Sequence, residues 1–582
     1  MPKASRINLI SFASFAALGP LIGAVFITGF TVPVPCRAQG SGATPRITAV
    51  VDAGAYTANI SQGSVFVVKG TNLCASGTVY GTLPYSTSPL NGVKITFTPV
   101  SGGAGMDAYM VYTFAAGAVN QLAAILPSTV PAGDYTVIVT NNGTASAAFK
   151  ATVVPHKFGI ITVASSGAGR AVVQNYISQT QYDLGRYTTG TISGYTYSPS
   201  HPGQIIVIWG TGMGPIASAD NVVPGAIDLR ASLNIQVLIN GVPIQPDLYG
   251  GRAPTLPGAD EIILTLPTDV ATGCLLTLQV SVNGQLSNPT NISIASGSDS
   301  ACIAPGITTE QLARLDQGGD FKVGTLALAG GTDTSGNTSI RVDTAGAIFV
   351  ALNTDELTAA TPGTTTPVPN NSCVVTRQTL TVATTGPPLP AFSLLGTGTL
   401  TLNGPNISNA TISTETLLNA KVNGVTVVNG AVLAAGTYTV TGAGGKDVGP
   451  FTASIVLSQP LVVTSTVPST IPRSQDFTLS WNGGGTEAVI ITGASSVAAP
   501  GSTPASPIVD SGVFKCMTTG DKRTFTVPAS ILGQLPAAKG SITVSSNNQN
   551  INFTAPLTAG GNLDSGYFST GFSSRFGSLT FQ

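Results

Sequence analysis

Histidine, a frequent catalytic base and metal ligand, occurs in this chain only as His156 and His201. Neither stands in an HExxH motif, and no GxSxG motif is present, so the usual residues of zinc peptidases and α/β serine hydrolases are missing. The adjacent carboxyl groups of Asp260 and Glu261 open an apolar run, and we interpret them as a solvated strand edge. A glycosidase could still bring together carboxylates from distant positions, but we expect no catalytic or metal-binding residue and no enzymatic activity.

Two glycine-rich runs are similar to nucleotide-binding loops only in part. Residues 210–215 read GTGMGP and lack the third glycine and the following helix of a dinucleotide fingerprint. Residues 444–447 read GGKD, with Asp447 where a phosphate-binding loop has Ser or Thr. We interpret both runs as turns and expect no cofactor.

Tyrosine gives the one indication of a ligand site, because five tyrosines fall between residues 176 and 197 amid Ser, Thr, Gln and Gly. Exposed tyrosines on a β-scaffold can stack on sugar rings or form a protein-contact patch. The alternative is an inserted hairpin whose tyrosines cover the sandwich. The possible ligand contacts are Tyr176, Tyr182, Tyr187, Tyr195 and Tyr197.

Six cysteines are present and none forms a CxxC pair, so a zinc knuckle or thioredoxin-type site is not supported. We predict a disulfide between Cys274 and Cys302. Cys274 opens an apolar strand and Cys302 follows the last strand of the same domain, and antiparallel neighbours can bring two such points together. Cys373 with Cys516 is a second and less supported pair. Because Cys36 lies in the predicted signal peptide, these two pairs leave Cys74 free.

The chain contains the same passage twice. Three blocks return in one order and at almost one offset, and all of them are β-branched runs closed by Gly, Asn or Pro, as strands and turns are. We therefore predict tandem domains of one fold, with Gly70 equivalent to Gly210 and Pro127 to Pro267. The repeated blocks are residues 64–73 and 204–213, 120–127 and 260–267, and 135–143 and 276–284.

Charged residues make up only 8% of the 582-residue chain, against about 25% in typical soluble domains. Long helices need charged residues on their solvent faces, so this scarcity favours β-structure. The predicted fold class is all-β: tandem immunoglobulin-like antiparallel β-sandwiches with one short helix after the second domain. The helix follows from the capping-box pattern of Thr308 and Gln311 and from the apolar residues Leu312 and Leu315.

The N-terminus has the form of a secretion signal, with Lys3 and Arg6 before the apolar residues 7–34 and small residues before Gln39. An uncleaved anchor is the alternative. No later segment is apolar enough to cross a membrane, so we expect a secreted or cell-surface protein. The net charge of −1 does not indicate the positively charged surface that binds nucleic acid.

The predicted domains are a signal peptide at 1–38, Ig-like domains at 45–155 and 156–296, a helix-containing connector and Thr/Pro-rich linker at 303–372, a β-rich domain at 373–459 and a C-terminal Ig-like β-domain at 460–582.

At residues 67–73, 207–215 (VIWGTGMGP) and 238–243 (LINGVP) the chain resembles IPT/TIG-type immunoglobulin-like domains of bacterial secreted proteins. It is more closely similar to the tandem Ig-like family described from Solibacter and other acidobacterial genomes, and the resemblance covers about residues 45–296. It implies an exported, modular, non-enzymatic surface protein, and we predict that the protein serves adhesion, surface presentation or extracellular structure. The partner would be an unidentified surface protein, extracellular protein or polysaccharide. The alternative is a carbohydrate-binding accessory protein that uses the tyrosine-rich insertion in the second domain.

Overall fold

The computed structural model describes residues 44–582 except 118, 337, 354–367, 382–392, 413–414, 418–419, 423–424, 430–432 and 499–507. The described residues divide into two compact units, one formed by the chain up to Gly319 together with Asn353, the other by Asp320–Leu352 and the chain from Val368 to Gln582. The predicted signal peptide, residues 1–38, lies outside the described residues. Within the described part, no helix has the length and apolar character needed to span a bilayer.

The first unit begins with an antiparallel sandwich. Its two sheets have the strand orders β1-β3-β8-β7-β4 and β2-β11-β9-β5-β6, with β10 beside β9. Because side chains alternate along a strand, Phe66 of one sheet and Phe97 of the other point inward and meet edge to face, with ring centroids 5.3 Å apart. The strands are β1 Arg46–Asp52, β2 Ile60–Ser61, β3 Val65–Thr71, β4 Gly77–Tyr80, β5 Val93–Pro99, β6 Met106–Asp107, β7 Tyr109–Ala116, β8 Val119–Ile125, β9 Gly133–Asn141, β10 Thr144–Ala145 and β11 Phe149–Val154.

A second sandwich follows in the same unit. Its sheets have the orders β15-β16-β14-β13-β17-β22-β21-β18, with β12 beside β17, and β20-β19-β23-β24, with β25 beside β23. Its core includes Ile206, Ile208, Val237 and Val280. The strands are β12 Gly159–Ile160, β13 Val173–Ser178, β14 Gln181–Gly185, β15 Gly190–Ile192, β16 Tyr195–Ser198, β17 Ile205–Thr211, β18 Ile227–Asp228, β19 Ile235–Ile239, β20 Val242–Ile244, β21 Tyr249–Arg252, β22 Asp260–Thr265, β23 Gly273–Val282, β24 Gln285–Leu286 and β25 Thr290–Ile294.

Strand register confirms the predicted duplication, because equivalent strands pair at equivalent residues in both sandwiches. Gly70 and Gly210 lie at matching positions, each paired with the first strand of its sandwich. That part of the chain lies so close to the glycine that an added Cβ would overlap one of its atoms. Pro127 and Pro267 each directly follow a leucine. The N–H of that leucine donates to the carbonyl oxygen of the residue just before β3 or β17, which is Ser64 in the first sandwich and Gln204 in the second. The equivalent pairs are Val65–Ile125 with Ile205–Thr265, and Val137–Phe149 with Leu278–Thr290.

The predicted helix after the second sandwich is confirmed as α1, Thr309–Asp316. Thr308 is its N-cap and forms a capping box with Gln311, and Leu312 and Leu315 are buried, as the sequence predicts. The second sandwich differs from the first by β13–β16, which extend one sheet; four of the five tyrosines lie on β13, β14 and β16, and Tyr187 lies between β14 and β15.

The second unit is dominated by a large sheet of long strands in the order β28-β41-β40-β43-β44-β26-β27-β29, with β34 beside β27 and β38 beside β44. Smaller sheets have the orders β31-β30-β35-β36, β32-β33 and β37-β39-β42. A four-residue helix, α2 Ala529–Leu532, and a 3₁₀ turn, Gly520–Lys522, lie near its end. The strands are β26 Phe321–Ser335, β27 Thr338–Leu352, β28 Ser372–Thr381, β29 Ser393–Leu394, β30 Leu400–Gly404, β31 Ile407–Ile412, β32 Glu415–Leu417, β33 Ala420–Val422, β34 Val425–Asn429, β35 Gly436–Gly442, β36 Phe451–Leu457, β37 Val462–Val463, β38 Thr470–Ile471, β39 Phe477–Asn482, β40 Ala488–Ala498, β41 Ile508–Thr519, β42 Thr524–Val527, β43 Lys539–Asn552 and β44 Ser565–Phe581.

This unit differs from the predicted connector at 303–372 and from the predicted separate domains at 373–459 and 460–582. Part of the expected connector forms the β26–β27 hairpin, and β26 pairs in parallel with β44 near the end of the chain. One hydrophobic core contains Phe349, Phe451, Trp481 and Phe514, which come from all three predicted segments. The reason is long-range strand pairing, which no local sequence pattern indicates.

Candidate binding face of the second sandwich

The buried carboxylate of Asp316 holds the end of helix α1 against the tyrosine-rich insertion. Its Oδ1 accepts from Arg170 Nη1 at 2.9 Å, and its Oδ2 accepts from the N–H and the hydroxyl of Thr188 at 2.8 and 2.9 Å. Arg170 and Asp316 are both buried, so the pair is shielded from water. The insertion is therefore the docking site for the end of the helix.

Two of the five tyrosines belong to that docking site and not to an exposed surface. Tyr187 is 1% and Tyr197 2% exposed. Arg170 lies over the ring of Tyr187, and Arg186 lies over the ring of Tyr197. The prediction of ligand contact is therefore wrong for Tyr187 and Tyr197, because docking of the helix covers them.

The other three tyrosines, Tyr176, Tyr182 and Tyr195, remain partly exposed. Tyr176 and Tyr182 pair directly across β13 and β14, and their rings meet edge to face with centroids 5.5 Å apart. Tyr195 lies on β16, opposite Ile192 and two strands from Tyr176. The structure thus brings together two of the five proposed contacts and places a third on the same sheet.

The Tyr176–Tyr182 pair extends onto a face of the sheet that points away from the sandwich core. Asn175 pairs with Ile206, so alternation places the neighbouring residues Tyr176 and Ile205 together on the opposite face. Thr265 pairs with Ile205 and hydrogen-bonds Asp247 through both its N–H and its hydroxyl. We call this set the outer face; it consists of Tyr176, Tyr182, Ile205, Thr265, Asp247 and Tyr249. Composition and spacing give no signal for Ile205, Thr265, Asp247 or Tyr249 as members of it.

Trp209 and Glu261 pair directly across β17 and β22, on the same side of the sheet as the outer face, but both are buried. Trp209 donates its indole N–H to Gln174 Oε1 at 2.8 Å and packs with Val207 and Ile263. Glu261 is 1% exposed, and its Oε2 has no hydrogen-bond partner within the described residues. Burial, and secondly the charge of Asp260, raise the pKa of Glu261 to about 8. The carboxyl group is therefore protonated at neutral pH.

The prediction that Asp260 and Glu261 form a solvated strand edge is wrong. Asp260 is fully buried, binds Arg252 Nη1 at 2.7 Å and accepts the N–H of Met213 at 2.7 Å. Burial raises the pKa of Asp260, while Arg252 and backbone donors oppose that rise. Consecutive strand residues point to opposite faces, so the two carboxyl groups do not share one pocket.

Among the described residues, the cysteines and histidines are part of the scaffold. Cys274 and Cys302 form a disulfide with Cα atoms 5.1 Å apart, and Cys373 and Cys516 form another directly across β28 and β41. Cys74 is free and buried, and burial raises its thiol pKa to about 11, which disfavours the reactive thiolate. Both histidines bond backbone carbonyls, His156 that of Met213 and His201 that of Asp299.

Within the part of the chain that the structure describes, no metal-binding cluster coincides with the outer face, and neither do the following two cavities. Within the described residues, no group of three His, Cys, Asp or Glu side chains is arranged to hold a metal ion. A cavity of about 340 Å³ in the first unit is bordered by Arg230, Asn234 and Gln245, and Asp228 and the carbonyl of Pro246 already bind the Arg230 guanidinium. A cavity of about 260 Å³ in the second unit is lined mainly by apolar side chains.

No protein-family model matches this chain, and no curated protein does. Among solved structures, it is similar to immunoglobulin domains 1–5 of Sidekick-1, with 10% identity, 89% of this chain and 79% of that chain covered, and a TM-score of 0.12. It is also similar to Bacteroides ovatus SGBP-B of a mixed-linkage glucan utilization locus, solved with a mixed-linkage heptasaccharide (13% identity, 46% and 70% covered, TM-score 0.16). A third is the FN1–FN3 domains of chicken CNTN1 (8% identity, 90% and 96% covered, TM-score 0.11). At these TM-scores we draw no function from the similarities, and the Ig-like fold rests on strand order and register.

Proposed function

We propose that this chain is an exported, modular, non-enzymatic protein that serves adhesion, surface presentation or extracellular structure. The observation that carries the proposal is the disulfide framework, Cys274–Cys302 and Cys373–Cys516. Disulfides persist in oxidising compartments and are rare in the cytosol. The signal-like residues 1–38 and the resemblance to IPT/TIG-type and Solibacter-type secreted proteins support the same location.

The use of the ionisable residues supports a scaffold over an enzyme. The carboxylates of Asp52, Asp260 and Asp316 are buried, and each is bonded to a cation and to backbone N–H groups of a loop or strand. In these positions the carboxylates are committed to the folded structure, because removing either partner of a buried pair leaves an uncompensated charge. Presentation of surfaces is the function that such a framework supports best.

Export and oxidation can be tested together on the full chain, expressed with residues 1–38 in a bacterium that has an oxidising periplasm. We expect mature protein that begins near Gln39 outside the cytoplasm. After denaturation its only thiol open to alkylation should be that of Cys74, and reduction should release the other four. Cytoplasmic protein that begins at Met1 and has reactive thiols at Cys274 and Cys373 would contradict the proposal.

Carbohydrate binding is the second candidate function, and the outer face favours it. Tyr176 and Tyr182 form a partly exposed aromatic pair beside the aliphatic Ile205 and the polar Thr265. Aromatic rings next to hydroxyl and carboxylate groups suit the apolar face and polar edge of a sugar ring.

Affinity electrophoresis through gels that contain soluble polysaccharides tests this candidate. We expect one polysaccharide to retard the full chain and Tyr176→Ala and Tyr182→Ala to abolish the retardation. Tyr80→Ala is the matched control, since Tyr80 is 55% exposed on the first sandwich. Retardation that survives both outer-face substitutions would exclude this face as the sugar site.

A further inference from the structure

The side chain of Lys157, at the start of the second sandwich, enters a loop of the first. Its ammonium lies 2.8 Å from Asp52 Oδ2, 2.6 Å from Thr57 Oγ1 and 3.0 Å from the carbonyl oxygen of Asn59. The carbonyl oxygens of Thr57 and Ala58 complete the surroundings. Oxygen atoms of residues 52–59 thus converge on one cation that another domain supplies.

Asp52 shapes this loop before it binds the cation. Its Oδ1 accepts the N–H groups of Gly54 and Ala55 at 3.0 and 2.5 Å, and its Oδ2 accepts the N–H and hydroxyl of Thr57, both at 3.1 Å. These bonds curl the chain so that the carbonyl groups of residues 57–59 point toward Lys157. The loop is therefore organised for a cation by its own hydrogen bonds.

The pair differs from an ordinary surface salt bridge. The side chain of Asp52 is 1% exposed and that of Lys157 16%, whereas those of Asp107 and Lys94, which pair within the first sandwich, are 29% and 37% exposed. Exposed pairs contribute little because water and salt screen them. An ammonium has three N–H donors, and the acceptors of residues 52–59 suffice for all three.

Hydrogen bonds donated by backbone N–H groups cross the same junction and can report whether it is closed. The N–H of Val65 donates to Thr211 Oγ1 at 3.0 Å, that of Tyr85 to the carbonyl oxygen of Asn221 at 2.8 Å and that of Ser128 to Asp220 Oδ2 at 2.6 Å. Each donor belongs to the first sandwich and each acceptor to the second. These amides are bonded only while the two sandwiches are docked.

Close backbone contacts make the junction intolerant of partial opening. A Cβ on Gly54 would overlap the carbonyl of Gly159, and one on Gly167 would overlap that of Ala55. Backbones in direct contact leave no room for a water layer between the domains.

We propose that residues 52–59 form a receptor for the ammonium of Lys157, and that this contact is the latch that holds the two sandwiches as one body. The consequence is that both sandwiches present their surfaces at one fixed angle instead of as independent beads. This inference does not depend on the proposed function.

Hydrogen–deuterium exchange of the full chain, resolved to single amides, tests the latch. In Lys157→Ala, we expect the Val65, Tyr85 and Ser128 amides to exchange at least about ten-fold faster, which corresponds to about 1.4 kcal/mol in opening free energy. The amides of Val137 and Val139, within the first sandwich, should keep their wild-type rates. Lys94→Ala is the matched control and should change none of these amides.

Chemical rescue separates a cation receptor from a packing contact. Methylammonium chloride should restore slow exchange at Val65 in Lys157→Ala but not in the double variant Lys157→Ala with Asp52→Asn, which also lacks the anionic ligand. Unchanged junction amides in Lys157→Ala, or absence of rescue, would overturn the proposal. Faster exchange at Val137 and Val139 would also overturn it, since the defect would then lie in folding of the sandwich. Lys157→Met retains most of the apolar stem and gives the same comparison if the alanine variant does not fold.

Discussion

Trp209 and Glu261 stand opposite each other on neighbouring strands of the second sandwich, and the carboxyl group is almost as buried as the indole ring. A buried carboxyl group favours its neutral form because the charged form loses hydration. The buried position of Glu261 therefore couples the stability of this sandwich to pH.

Glu261→Gln should remove part of the pH dependence of stability. The folded-state pKa of Glu261, about 8, lies above its ordinary value of 4.5. The stabilisation is therefore complete below pH 4.5 and is lost as pH rises through about 8, by at most about 1.4 kcal/mol per pH unit. The Gln variant should lack this slope and be more stable than wild type above pH 8. Urea unfolding at a series of pH values measures the difference, and parallel curves for the two proteins would contradict the assignment.

Replacing Cys274 and Cys302 together by Ser should destabilise the second sandwich. The bond closes a loop with a sequence separation of 28 residues, so the chain-entropy model gives a loss of about 3–4 kcal/mol. Faster hydrogen–deuterium exchange of the β23 amides would show this loss of stability. Cys74→Ala, which removes a free buried thiol from the first sandwich, should leave β23 unchanged. Wild-type exchange in the double variant would show that the bond contributes no stability.

Asp316→Asn should release helix α1 from the tyrosine-rich insertion. The substitution leaves the buried Arg170 unpaired, at a cost of about 3–5 kcal/mol. We expect faster exchange of the Thr188 amide, which donates to Asp316, and proteolytic cleavage near Gly318. Asp107→Asn removes a partly exposed charge from its pair with Lys94 and should cost no more than about 1 kcal/mol. Equal effects of the two substitutions would argue against Asp316 as the residue that docks helix α1 on the insertion.

The sequence predicts the duplicated sandwiches well because their signal is local. Alternating β-branched runs and Asn-Gly turns specify strands and hairpins within a few residues, and the repetition of the pattern confirms the reading. The left-handed φ angles at Asn142 and Asn283, 47° and 51°, show that both repeats use the same turn.

The β26–β27 hairpin and the burial of the tyrosines depend on partners that lie far away in the chain. Strands β26 and β27 contain Gly, Ala and Asp where strong strand formers are expected, and β26 is completed by parallel pairing with β44. Tyrosine suits both a covered and an exposed position. Tyr187 and Tyr197 are covered because Asp316 and Gln317 dock on the insertion, which the local sequence of the insertion does not show.

Strands of the second unit tolerate glycine because an aromatic ring on the next strand covers it. Gly493 pairs with Phe514 and Gly324 with Phe349, and a Cβ on either glycine would overlap the ring. Gly493→Ala should therefore destabilise the unit by about 1–3 kcal/mol, the usual cost of overpacking, although alanine is otherwise the better strand residue. The matched control is Gly571→Ala on β44 of the same sheet, where the nearest atom to an added Cβ is 3.8 Å away. Thermal unfolding should show a lowered midpoint for Gly493→Ala and an unchanged or raised one for Gly571→Ala. If Gly493→Ala lost no stability, ring packing would not be the reason for glycine at this position.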